Sequence, residues 1–280
     1  MIYLLLDTSY VIFYRYYALL QWWKIAKKDE ELGDPNQNPE FIEKFEKTFL
    51  DCVNTIKKKL KIHKEQVCVI AAKDCPRSEI WRNKTYVDYK ANRVQDDTFM
   101  GGPFFKKVYN EKLLQKSGVN YIFKHQSLEA DDIVAIMKTH IHSVDPNATI
   151  YIITNDQDYL QLIDEKTIIY NLKFKLLNSA KKSFKDPHTD LFCKIIMGDK
   201  SDNIPSVFPK CGPKTLEKYI NNPELFEADL DKYNVRDKYL FNKKMIDFNE
   251  IPQLLVEEFL KNNKSYFDKM FQECGAISIS

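Results

Sequence analysis

Nine carboxylates in this 280-residue chain, two at the ends of apolar runs and seven in three short clusters, suggest shared work. Asp7 ends the apolar run Ile2 to Leu6, and Asp74 lies just beyond a second run, Val67 to Ala72. Glu129, Asp131 and Asp132 share LEADDIVAI, Asp156 and Asp158 share TNDQDYLQL, and Asp199 and Asp202 share GDKSDNIP. Singly, each has a plain structural reading, because acids favour helix starts and Asp caps turns. Together they conflict: two like charges about 4 Å apart repel by about 4 kcal/mol at an effective dielectric of about 20. An acid beside apolar segments is costly unless paired, so convergence of this set demands cations. All-oxygen ligands suit Mg²⁺ or Mn²⁺ rather than zinc. Two such ions roughly 3.5–4 Å apart activate water, stabilise a leaving oxygen and clamp a phosphodiester. The chemistry expected is therefore metal-assisted phosphodiester hydrolysis.

Convergence requires elements that deliver the acids to one place. Ile2 to Leu6, Val67 to Ala72, Val119 to Phe123 and Thr149 to Ile153 read as buried strands. Helical spacing runs from Pro39 to Leu60, through Phe41, Phe45, Phe49, Val53, Ile56 and Leu60, and again from Ala130 to Ile141. Strands alternating with helices predict an α/β fold with a mainly parallel central sheet flanked by helices. Such sheets bind ligands beyond the carboxyl ends of their strands, where Asp7, Asp74 and Asp156 fall. From about Asp190 short helices separated by Gly, Pro and Asn take over and suggest a helical C-terminal lobe packed on the sheet, while Val94 to Pro103 reads as a mobile connection or the limb of a lid.

Composition narrows the alternatives. The formal charge is only +2, from 42 basic and 40 acidic residues, but setting the nine acids aside leaves 31 acids against 42 bases, an excess of eleven. A basic surface around an acidic pit is what a nuclease needs. Six scattered cysteines without a C-x-x-C pair fit reduced thiols and no zinc finger. Asp7 and Arg15 interrupt the apolar start, which speaks against a signal peptide or membrane span. No Ser/His/Asp arrangement or phosphate-cradling glycine loop is present, and His125 reads as a loop residue. The lysines between Lys57 and Lys64 read as a solvated helix face.

The order LLLDTS, then Asp74 followed by WRNKTYVDYKANR, then LEADD, TNDQDYLQL and GDKSDNIP resembles the flap-endonuclease/5′-3′ exonuclease superfamily over nearly the whole chain. Trp81-Arg82 and MIDFNEIP (Met245 to Pro252) are most similar to its bacteriophage ribonuclease H branch. The resemblance implies a PIN-like, Rossmann-like nuclease core over 1–188 with a helical arch at about 84–118, and a C-terminal helical lobe over 189–280. It implies two Mg²⁺ ions, replaceable by Mn²⁺. Asp7, Asp74, Glu129, Asp131 and Asp156 would build the first site with Asp132 nearby, and Asp158, Asp199 and Asp202 the second. Lys90 and Arg93 would lie at the base of the arch on the scissile phosphate or its neighbour, with Arg82 as a further nucleic-acid contact.

IPSVFPKCGPKTLEKYI resembles the family's helix-three-turn-helix, in which Lys210, Gly212, Lys214 and Thr215 would hold one duplex strand independently of sequence. This loop departs from the family's G-x-G, having Pro209, Lys210, Cys211 and Gly212, so the monovalent cation it holds in relatives is not carried over. The implied partners are DNA and RNA/DNA hybrids: RNA primers, 5′ ends and 5′ flaps, in replication or repair. Candidate protein partners are a single-strand-binding protein, a sliding clamp or a polymerase. A cytoplasmic monomer is expected, in the host cytoplasm for a phage or other viral source. Rival readings are a PIN-type ribonuclease acting on single-stranded RNA, a non-catalytic DNA-binding relative, and the nuclease domain of a polymerase. The helix-three-turn-helix match, the filled acidic positions and the lack of polymerase sequence weigh against them in turn.

Two aromatic groups remain open at this stage. Phe99, Met100, Phe104, Phe105 and Tyr109, interleaved with Lys106, Lys107 and Lys112, read equally as stacking surfaces or as core. Tyr10 to Tyr17 with Trp22 and Trp23 reads mainly as buried helix face, the alternative being a wedge against a bent duplex.

Overall fold

In the computed structural model, which describes residues 1–93, 98–180, 183–209 and 211–275, five parallel strands form one sheet in the order β3-β2-β1-β4-β5. The strands are β1 (Ile2–Asp7), β2 (Val67–Lys73), β3 (Tyr121–Lys124), β4 (Thr149–Ile153) and β5 (Thr167–Tyr170). Near-continuous apolar runs are what strands covered on both faces require. Tyr3 and Leu5 face one core cluster with Ile70, Ile150 and Ile152, while Leu4 and Leu6 face another with Val69 and Ala71. β5 is absent from the sequence reading, because four residues on an edge carry too little pattern to stand out from a loop.

Helices α1 (Thr8–Ala26), α2 (Pro39–Leu50) and α3 (Cys52–Lys59) cover the second face. The Asn38 side chain caps α2 by accepting from the Phe41 amide at 3.0 Å, and Pro39 occupies its first turn. Phe41, Phe45 and Phe49 are fully buried at spacings of four, each contributing about 1.5–3 kcal/mol. The single helix expected from Pro39 to Leu60 is two, divided at Asp51, which starts α3 and accepts the Thr55 hydroxyl at 2.8 Å. Past β2 come α4 (Trp81–Thr85), α5 (Gly102–Asn110) and α6 (Leu113–Lys116). Residues 94–97 of the expected lid limb lie outside the described residues.

Helix α7 (Ala130–Val144) covers the first face. The remaining chain divides in its packing. Helices α8 (Pro187–Met197), α9 (Pro213–Asn221), α10 (Pro223–Lys232) and α11 (Arg236–Ile246) follow, and Cys193, Phe208, Leu216, Tyr219, Phe226 and Leu230 form a small core among the first three. Helices α12 (Gln253–Asn262) and α13 (Lys264–Glu273) instead return to the sheet: Phe259, Phe267, Met270 and Phe271 join Phe123, Ile133 and Met137. The helical stretch expected as one lobe thus supplies part of the main core.

The strand order reverses at β1, so a crevice opens beyond the carboxyl ends of β1 and β4. Register sets its floor: Asp7 pairs with Ala72, and Leu6 with Ile153, so Asp7, Asp74 and Thr154 end at nearly one level.

Candidate metal centre

Asp7 ends β1 and caps α1, accepting from the Tyr10 amide at 3.0 Å and the Thr154 hydroxyl at 3.0 Å. Burial, and after it the charge of Asp74, push its carboxyl up to about 7. Asp74 is held by the Ala130 amide at 2.8 Å and by the Ser9 hydroxyl. Asp131, in the first turn of α7, is driven well above the usual carboxylate range by burial and then by Asp132 and Glu129. Acids held so far from comfortable ionisation are what a site shaped for a cation presents.

These groups line one cleft of about 590 Å³, with Asp7, Asp74, Glu129, Asp131, Asp156 and Asp199 among its walls. Glu129, Asp131 and Asp132 each offer an oxygen within 4.8 Å of the others, and Asp158, Asp199 and Asp202 do the same. The donors are all oxygens, which fits hard divalent ions. The second group depends on a turn that only glycine permits. Gly198 has φ +68°, and a Cβ there would lie 2.4 Å from the Ile204 carbonyl oxygen. The turn then folds Asp199 over Ser201, whose amide and hydroxyl donate at 2.7 and 2.6 Å. Although burial raises its pKa, Lys194 and Ser201 hold the Asp199 carboxyl down at about 2.

Positive side chains enter the same acids. Lys90 pairs with Glu129 and lies 3.8 Å from Asp202, while Arg93 pairs with the other Asp202 oxygen. Burial lowers the Lys90 pKa, but Glu129 and Asp202 more than offset it and the net shift is upward. Lys90 stands at φ 57°, a conformation uncommon outside glycine, and its amide donates to the Asp202 carbonyl at 3.0 Å. Tyr86 and Asn203 tie the same two segments together. The strand-following segment and the Asp199–Asn203 turn are therefore one unit.

Arg82 departs from the expected role. Arg82 is 2% exposed, and its guanidinium donates to Asp132 at 2.8 and 3.0 Å, to Glu129 at 2.9 Å and to the Met245 carbonyl at 2.8 Å. So deeply buried a group, with four of its five N–H donors taken by internal partners, does not reach a nucleic-acid phosphate, and the expected contact is corrected to an internal clamp. Asp132 shares this clamp. It is fully buried, held by Arg82, by the Trp81 indole at 2.9 Å and by the Glu129 amide at 3.1 Å, which leaves it to position α7 rather than face the cleft.

Other residues were not legible beforehand. Lys194 reaches Asp158 and, at 2.9 Å, Asp199, and its one sequence signal is a lysine inside the apolar run CKIIM. Tyr89 donates toward both Glu129 and Asp202 at 3.0 Å. Phe104 is core, Phe99, Phe105 and Tyr109 are partly buried against it, and Met100 is exposed. Of the first-helix aromatics, Tyr16 and Trp23 are buried, whereas Phe13 is 39% exposed and lines the cleft. At the expected duplex-holding motif, Gly212 precedes α9 in an extended conformation with open space beside it, Lys214 is exposed and Thr215 half-buried. Lys210 lies outside the described residues.

The family model described as 5′-3′ exonuclease, N-terminal resolvase-like domain, matches residues 2–188. DNA polymerase I of Lactococcus lactis subsp. cremoris is 27% identical over 180 residues, 59% of this chain and 20% of that protein. The 5′-3′ exonuclease of Mycoplasmopsis pulmonis is 29% identical over 200 residues, covering 64% of each chain. That of Buchnera aphidicola subsp. Acyrthosiphon pisum is 29% identical over 222 residues, covering 77% of this chain and 70% of its own. This chain thus spans about a fifth of the polymerase's length. Among solved structures, a flap endonuclease of bacteriophage T5, in complex with DNA and metal ions, superposes with a TM-score of 0.66 at 14% identity, over 95% of this chain and 98% of its own. That likeness shows the same fold.

Proposed function

The chain belongs to the 5′-3′ exonuclease family, and from that premise we propose that it is a divalent-metal-dependent 5′ nuclease acting in replication or repair. Its substrates are 5′ ends and junctions of duplex DNA, 5′ flaps and RNA primers on DNA, and its products carry a 5′-phosphate and a 3′-hydroxyl. The observation that carries this reading is the gathering of Asp7, Asp74, Glu129, Asp131, Asp156 and Asp199 with three cationic side chains, Lys90, Arg93 and Lys194, around one cleft. Asp7, Asp74, Asp131 and Asp156 would hold a first ion with Glu129, and Asp158 and Asp199 a second with Asp202. Bound Mg²⁺, or Mn²⁺ in its place, supplies a water of lowered pKa and charge to clamp the phosphodiester.

The chain's own groups do the rest. Lys90 and Arg93, now paired with acids, turn to the non-bridging oxygens of the scissile phosphate and stabilise its developing charge. Phe13 offers an exposed ring at the cleft for the neighbouring base. Gly212, Lys214 and Thr215 meet a phosphate of the duplex at the start of α9. In this reading residues 1–188 form the nuclease core with its arch at 84–118, and residues 189–280 hold the duplex and complete the core. The protein works as a monomer, with a single-strand-binding protein, clamp or polymerase as candidate neighbours.

Cleavage of labelled 5′-flap, nicked, blunt and RNA-primed duplexes tests this, with Mg²⁺ and with chelator, in wild type, Asp131→Asn and Asp156→Asn. Metal-dependent cleavage that falls at least about 100-fold in both variants is expected, since each removes a ligand to a charge-stabilising ion. Undiminished cleavage in both would refute the metal-nuclease reading.

A further inference from the structure

Lys73 and Lys124 end the neighbouring strands β2 and β3 and are register partners. Like charges placed directly opposite on adjacent strands are destabilising, so a pair of this kind needs a reason. No internal reason appears among the described residues: neither lysine has an ion-pair partner. Lys73 is half-buried, its ammonium 3.9 Å from the centre of the Tyr109 ring on α5, while Lys124 is exposed.

Both lysines border a depression of about 570 Å³ whose wall includes Asp74. Asp74 also lines the acid cleft, so the two spaces share one carboxylate. The depression lies on the β3 side of the sheet. On the β4 side, α8 packs against the segment Gln157–Leu162 and carries the chain toward α9. A strand continuing past the acids on the side away from α8 would run by way of Asp74 over Lys73 and Lys124.

We propose that Lys73 and Lys124 form a phosphate subsite for the single-stranded 5′ extension of the substrate, beyond the scissile phosphate. The inference rests on the 5′-nuclease reading above. The Tyr109 ring fixes the Lys73 ammonium by cation–π contact, and exposed Lys124 takes the adjacent phosphate. The like-charge cost is relieved when the anionic backbone arrives.

The test uses fluorescence anisotropy without cleavage, in chelator, at a series of salt concentrations. Two duplexes are compared, one with a short 5′ single-stranded extension and the same one blunt. The proteins are wild type, the double variant Lys73→Met with Lys124→Met, and the double Lys→Arg variant. The Met pair keeps the aliphatic stems, and its melting temperature should equal or exceed that of wild type, since a repulsion is removed. For the extended duplex the Met pair should bind about tenfold more weakly, with a salt slope shallower by about 1.4, the release from two single-strand phosphates. Blunt-duplex binding should be unchanged, and the Arg pair should resemble wild type. An unaltered slope, or equal losses on both duplexes, overturns the subsite while leaving the nuclease reading intact. Failure of wild type to bind either duplex overturns both.

Discussion

At the scale of single residues, the centre is built as much by groups that restrain carboxylates as by the carboxylates. Arg82 illustrates this: its donors bind Asp132, Glu129 and a backbone carbonyl in a buried environment. Removing one partner of a buried pair leaves an unpaired charge and costs about 3–5 kcal/mol. Arg82→Ala should therefore lose stability of that order in urea unfolding. A residue acting only on nucleic acid would instead raise KM and leave the unfolding midpoint in place. The acids themselves were legible in the sequence because seven sit in short local clusters and Asp7 and Asp74 follow apolar strand-like runs. Lys194, Tyr89 and Trp81 were not, because their partners lie 5 to 113 positions away and leave no local pattern.

Among the elements, those delivering the first site were legible because their strands are buried on both faces. β1, β2 and β4 match the apolar runs within one residue, and α7 extends its expected span by one turn. What escaped were features decided by packing rather than pattern: the edge strand β5, the break at Asp51, and the division of the C-terminal helices between a small core of their own and the sheet. The turn after α8 belongs to the second kind. Gly198 has no room for a side chain, since Ile204 and Pro205 backbone atoms lie 2.4 to 2.6 Å from where a Cβ would stand. Gly198→Ala must shift that turn and with it Asp199 and Asp202. We expect a loss of roughly 1–3 kcal/mol, as for other strained backbone positions. Weaker Mn²⁺ binding by electron paramagnetic resonance titration should accompany it, and unchanged binding would show that the turn does not set the second group.

For the molecule as a whole, the centre is a source of instability when no metal is bound. The sign follows from Asp7, whose folded carboxyl titrates near 7 against an ordinary 3.8. Between those values the folded chain keeps a proton that the unfolded chain has released, so this group's contribution to stability falls as pH rises. Above pH 7 the full cost is present, up to about 4 kcal/mol, because holding a proton against release costs roughly 1.4 kcal/mol for every tenfold change in its affinity. In metal-free buffer Asp7→Asn should melt above wild type at pH 8 and converge with it near pH 4. Added Mg²⁺ should raise the wild-type melting temperature more than that of the variant. A pH-independent difference between the two would refute this assignment.

The return of α12 and α13 to the sheet bears on how the chain is made. Every one of the nine carboxylates has been synthesised by residue 202, yet Phe259, Phe267, Met270 and Phe271 complete the apolar face beneath α7. On the ribosome, the repelling acids are thus assembled ahead of the hydrophobic cover that helps hold them together. Through that interval Phe123, Ile133 and Met137 lack part of their packing, and the fold closes only with the helices that follow α11.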